Sequence, residues 1–258
     1  MTLKEWNAFC LFRDEFCFQV EQWKKEADKM GLSQVQKIVA KNDNVSDYPI
    51  ENIVVYNTEL NKVTKDCDIK LIIIGDNPGK EEQLSKNQKY LVGLAGKIAY
   101  GYFKKNVELD IDFRKNTIIL NKTPIHSAKT KQLTKMLQVV KKQDENLFIA
   151  LKNMLVESQK FMAEKTAKLH SVFAENNTEL WLVGYSELKN NGIFEIYRDK
   201  LRESYKKFKN AYEKVYIFQH FSMNRFAIDL RENYNENISL KENIKILGNR
   251  HKIEILGE

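Results

Sequence analysis

Apolar residues along the chain fall into two kinds of pattern. In the first they recur every three or four positions. Over residues 3–30, Trp6, Phe9, Phe16, Val20 and Trp23 share one helical face, and Gly31 stands where such a helix would close. The same period predicts helices over 92–105 (VGLAGKIAYGYFKK), 193–213 and 223–233. It also predicts two lysine-rich helices over 130–174, broken near Gln143-Asp144-Glu145-Asn146. In the second pattern the apolar run is nearly continuous and short: IKLIII (69–74), NTIIL (116–120), ELWLV (179–183) and VYIFQ (215–219). Strands buried on both faces have this character. Helices alternating with such strands predict a three-layer α/β/α fold around a central, mainly parallel four-stranded sheet. Residues 41–68 are polar around IVVY at 53–56, which reads as a loop plus a minor strand. The tail, 238–258, reads as a helix turn and an edge strand (HKIEIL). No repeat or low-complexity linker divides the chain, so residues 1–258 read as one domain with an N-terminal helical segment over about 1–40.

In an open parallel sheet, ligands bind beyond the carboxyl ends of the strands. The first strand ends in Gly75-Asp76-Asn77-Pro78-Gly79, the second in Asn121, the third in Gly184 and the fourth in His220. Asp76, Asn77, Asn121 and His220 therefore converge on one edge of the proposed sheet. Together they could position a water, read a polar ring edge and stabilise an anion.

Composition narrows the partners. The formal charge of +7 permits a polyanion such as nucleic acid. Three cysteines, with no CxxC pair, cannot supply a four-cysteine metal or iron–sulfur site, and the four histidines are scattered, so neither metal nor cofactor is expected. An odd cysteine count suits reduced thiols. No apolar run approaches the roughly 20 residues that span a bilayer, and the first residues lack a signal-peptide pattern. These features read as a cytoplasmic protein that does not contact membranes.

GDNPGKEE, then KYLVGLAGK at 89–97, LNKTP and HFSMNR follow one another in an order that resembles the uracil-DNA glycosylase superfamily, over roughly residues 67–230. GxNPG is the form of the mismatch-specific and single-strand-selective branches. The segment after it is more similar to the branch that carries an iron–sulfur cluster, whose cysteines are absent here. The resemblance implies a monomeric, monofunctional DNA glycosylase. It would hydrolyse the N-glycosidic bond of uracil, or of a related deaminated base, after flipping the nucleotide out of the DNA. By the same resemblance His220 donates to the departing base, with Ser222 beside it, and Asn121 reads the uracil edge. Tyr90 stacks on the ring. Gly75, Pro78 and Gly79 shape the turn, with Gly79 leaving space beside the pyrimidine C5. Asp76 or Asn77 handles the water: the carboxylate is the better base, whereas the GxNPG pattern favours Asn77. Met223, Asn224 and Arg225 would enter the DNA at the start of the last helix. From their position after the second strand, Lys122, Lys129 and Lys131 could face phosphates or equally form an ordinary basic helix start. Phe221 stands where the family has proline. That departure keeps open an alternative, a non-catalytic nucleic-acid-binding protein with the same fold.

Overall fold

The computed structural model describes residues 1–257. Four strands, β1 (Leu71–Gly75), β2 (Thr117–Asn121), β3 (Glu179–Val183) and β4 (Val215–Phe218), form an all-parallel sheet in the order β2-β1-β3-β4. Ile72 lies level with Ile118 on one side and Leu180 on the other. Side chains alternate across a strand, and the two faces feed separate cores. Ile72, Ile74, Leu120, Leu182 and Ile217 pack with one cluster, and Ile73, Ile119, Trp181, Val183 and Phe218 with the other. This double burial is why each strand reads as an unbroken apolar run.

The first cluster takes α1 (Leu3–Lys29), α2 (Leu32–Asn42), α4 (Gln132–Lys141), α5 (Glu145–Phe173) and α6 (Glu195–Tyr205). A short α7 (Lys209–Tyr212) follows α6. Thr2 and Glu5 form a reciprocal cap that starts α1. Gly31, at φ +62°, turns the chain into α2. The second cluster takes α3 (Leu94–Lys105), α8 (Arg225–Glu232) and α9 (Leu240–Leu256). The molecule is thus the expected three-layer α/β/α sandwich.

Two local expectations are corrected. The tail is the helix α9, not an edge strand. Ser239 and Glu242 cap it reciprocally, and Ile244, Leu247, His251 and Ile255 are buried at helical spacing. The alternation in HKIEIL is a short stretch of that longer period. IVVY does not form a strand: Val54 makes one antiparallel bridge to Ile125.

Candidate functional site

The connections that leave β1 and β3 run toward opposite edges of the sheet, so a crevice opens between them beyond their carboxyl ends. A cavity of about 920 Å³ lies there. Of the residues expected from the sequence, Asp76, Asn77, Gly79, Asn121, His220 and Ser222 line it, together with the exposed Met223 and Arg225. Gly75, Pro78, Tyr90 and Asn224 do not line it.

Asp76 is buried at the end of β1. Its Oδ1 accepts from the Lys122 Nζ at 2.5 Å. The Lys122 ammonium is fully buried and also donates to the carbonyls of Val183 (2.5 Å) and Gly75 (3.3 Å), which uses all three of its protons. Burial pushes the Lys122 pKa below its ordinary value, and the Asp76 carboxylate opposes that push. Lys122 is therefore an internal counter-ion and cannot face phosphates; Lys129 and Lys131 are exposed at the cavity mouth. Gly184, after β3, has φ +97°, and a Cβ there would come within 2.2 Å of Asp76 Oδ1. Only glycine leaves room for this carboxylate. The other oxygen, Oδ2, lies 3.5 Å from Thr130 Oγ1, long for a hydrogen bond.

Asn77 is fixed through its Nδ2, which donates to Ser127 Oγ at 2.9 Å and more weakly to Ile125 O at 3.3 Å. Asn121 is only 2% exposed, and its buried Nδ2 has no hydrogen-bond partner. Gly75 acts indirectly here, because a Cβ at that position would meet Asn121 Oδ1 at 2.5 Å. A deeper layer pins the turn. His126 Nδ1–H donates to the Pro78 carbonyl (2.8 Å), and its Nε2 accepts from the Tyr48 hydroxyl (2.9 Å). Burial holds His126 neutral, with its pKa down to about 4. Glu82, also at the cavity wall, accepts the Gly79 N–H at 3.0 Å. Its burial lifts the carboxyl to about 7, opposed by the backbone N–H groups of Gly79, Leu91 and Val92.

His220, half-buried after β4, has its Nδ1 2.7 Å from Ser222 Oγ and accepting the Ser222 N–H at 3.1 Å. Burial lowers its pKa, as do Lys122 and Arg225, against the pull of Asp76. A neutral ring whose Nδ1 accepts a backbone N–H carries its proton on Nε2. The residue after it, Phe221, adopts φ −65°, the value a proline ring would impose, with its side chain buried against Phe226. The chain then enters a tight turn with Met223 (φ 55°) and Asn224 (φ 57°) in the left-handed region, and α8 begins only at Arg225.

Tyr90 requires a correction. Its ring is fully buried and its hydroxyl donates to the Val55 carbonyl at 2.6 Å. It is a core residue that holds the 89–93 segment and cannot stack on a ligand. From the sequence Lys122 was expected to face phosphates or begin a basic helix, and Gly184 only to end the third strand; His126 and Glu82 were not singled out. The available signal was a lysine directly after Asn121 and a glycine directly after the third strand. Comparison of the chain with protein-family models, curated proteins and solved structures finds no match.

Proposed function

We propose that the cavity receives a nucleotide flipped out of DNA, and that the protein hydrolyses the bond between deoxyribose and uracil or a related deaminated base. The observation that carries this reading is the Asn121 carboxamide. It is buried at the cavity wall with its amide nitrogen unpartnered. Leaving a buried donor unsatisfied costs about 1–3 kcal/mol, a cost that a complementary ligand removes. Uracil offers an acceptor (O4) beside a donor (N3–H), which one carboxamide can meet in full.

The remaining groups suit the reaction. As the bond from C1′ to the base breaks, negative charge grows on the base and positive charge on the sugar. A neutral His220 presents an Nε2–H donor to the first, and a fixed donor aimed at developing charge is a main source of catalysis. Asp76, with Oδ1 held by Lys122, keeps Oδ2 to accept a proton from water and to offset the sugar's charge. Asn77, anchored through Nδ2, has its carbonyl oxygen left to orient that water. The step balances with water alone. The water oxygen bonds C1′, its proton goes to Asp76, and the base leaves with the bonding pair and is protonated later.

The test is single-turnover base release from uracil-containing oligonucleotides, with abasic sites revealed by alkali and DNA affinity measured in parallel. His220→Ala is expected to slow release by about 10²–10³ with little change in affinity. Should wild-type protein release no base from any deaminated substrate, or should His220→Ala match wild type, this function is wrong.

A further inference from the structure

Residues 36–52 lie outside the part of the chain that resembles a glycosylase, which begins near residue 67, yet they reach the turn at its centre. A chain of hydrogen bonds runs from α2 and α4 to the Pro78 carbonyl. Gln36 and Gln132 are both fully buried, and Gln36 Nε2 donates to Gln132 Oε1 at 2.8 Å. Gln132 Nε2 donates to Asp43 Oδ2 at 3.1 Å, and Asp43 also pairs with Lys135. Gln36 Nε2 donates in addition to the Tyr48 hydroxyl at 3.2 Å. That hydroxyl donates to His126 Nε2, and His126 Nδ1–H donates to Pro78. The Pro78 carbonyl takes the Ser127 N–H as well, at 3.2 Å, and the Ser127 hydroxyl holds Asn77.

The two ends of this chain fix the direction of every proton in it, because a carboxylate and a carbonyl only accept. Asp43 turns the Gln132 amide nitrogen toward itself, which leaves Gln132 Oε1 facing Gln36. Gln36 then presents Nε2 in both directions, and the Tyr48 proton is left for His126. The arrangement leaves Gln36 Oε1 buried without a partner, a cost that stability alone does not select for. Its yield is the histidine tautomer. A neutral imidazole in water favours the proton on Nε2, whereas here it stands on Nδ1. The hydrogen bond at one ring nitrogen decides where the proton sits on the other. With the proton on Nε2, the Nδ1 lone pair would face the Pro78 oxygen and repel the turn. Residues 49–52 take a second hold. Gln83, fully buried, accepts the N–H groups of Glu51 (2.7 Å) and Asn52 (3.1 Å) and donates to the carbonyls of Pro49 (2.7 Å) and Lys80 (3.0 Å).

We infer that Tyr48 is a positioning residue. Acting through His126 and Ser127, it sets where Asp76 Oδ2 and the Asn77 carbonyl stand against the substrate, and the segment 36–52 is therefore a working part of the site. The reaction is the one proposed above; the hold on the turn exists without it.

The experiment compares wild type, Tyr48→Phe, His126→Asn and the double variant in single-turnover base release from uracil-containing oligonucleotides, with DNA affinity in parallel. Tyr48→Phe is expected to slow release by about tenfold to a hundredfold, the effect of a misplaced reacting group. Affinity should not change, because Tyr48 does not line the cavity. His126→Asn keeps a donor near the place of Nδ1 and has no tautomer to choose, so adding Tyr48→Phe to it should cause no further slowing. Two readouts need no catalysis. Nitrogen NMR of the histidine rings should find the His126 proton on Nδ1 in wild type and moved toward Nε2 in Tyr48→Phe. Hydrogen exchange at the Ser127 amide should be faster in that variant. If both change while wild type releases no base, the hold on the turn stands and the hydrolytic reading falls. Tyr48 is not the positioning residue if the proton stays on Nδ1 in Tyr48→Phe, or if an active wild type loses no rate on that substitution. The same follows if affinity falls in step with rate, or if the two substitutions slow release additively.

Discussion

Lys122 is what makes a carboxylate tolerable at the end of a strand buried on both faces. Its ammonium has no exposure, spends one proton on Asp76 and two on backbone carbonyls, and closes the carboxyl end of β1 against β3. Desolvating two charges is costly, and a buried pair on its own is weak evidence for stability. Removing one partner is a different matter, because it leaves an uncompensated charge inside. Lys122→Met is therefore expected to destabilise the protein by about 3–5 kcal/mol. The double substitution Asp76→Asn with Lys122→Met should recover part of that loss. Urea unfolding of wild type and the two variants checks it: Lys122→Met within about 1 kcal/mol of wild type would mean that Asp76 finds another partner or water. The pair also bears on the proposed chemistry. With Oδ1 held and Gly184 forbidding any side chain beside it, the carboxylate has one orientation, and only Oδ2 remains for a substrate water.

At the scale of elements, α9 shows where a local pattern misleads and a longer one informs. Gly248 sits in the middle of this helix, and a Cβ there would approach Tyr216 Cβ to 2.7 Å and Phe218 Cζ to 2.5 Å on β4. Helix propensity alone favours alanine over glycine by about 1 kcal/mol. Overpacking a tight contact costs about 1–3 kcal/mol, and the Tyr216 Cβ cannot swing aside. Gly248→Ala is thus expected to be net destabilising by about 1 kcal/mol or more; a thermal or urea midpoint that rises would show that α9 rides further from β4 than described. The same contrast explains what could be read in advance. The four strands were legible because burial on both faces removes polar residues from them, and the strand ends then marked Asp76, Asn77, Asn121 and His220. Tyr90 was misread because a motif position carries no record of depth: a tyrosine over a ligand and one under a loop look alike in sequence. Lys122 was misread for the mirror reason, since a lysine announces solvent unless its counter-ion, 46 residues away, is already placed. The exposed turn at Met223 and Asn224 escaped because nothing in SMN requires left-handed backbone.

For the whole molecule, the buried titratable groups set how stability responds to acid. Burial lowers His126 and His170 to about 4, each within a fixed pair of partners. The unfolded chain binds these two protons near 6.5, whereas the folded chain refuses them until about 4. Their contribution is present above 6.5 and is lost as pH falls toward 4. Glu82 runs the other way. Its folded pKa of about 7 lies above the unfolded 4.5, so its contribution is fully present below 4.5 and is lost as pH rises through 7. Between 4.5 and 6.5 the two protons on His126 and His170 oppose the one on Glu82. His220, whose pKa burial also lowers, adds to the histidine side, and the histidines win. From His126, His170 and Glu82 alone the slope is about 1.4 kcal/mol per pH unit, or roughly 3 kcal/mol across that window. Set against the 5–15 kcal/mol typical of a folded domain, that is a substantial fraction. Unfolding by urea at several pH values should therefore show stability falling from pH 6.5 to 4.5. Glu82→Gln removes the opposing proton, so its stability should fall more steeply than that of the wild type over the same window. A wild-type curve that is flat or rises on acidification would mean that His126 and His170 already hold their protons in the folded state, and that the neutral His126 bridge between Tyr48 and Pro78 behind the Asp76–Gly79 turn is wrongly described.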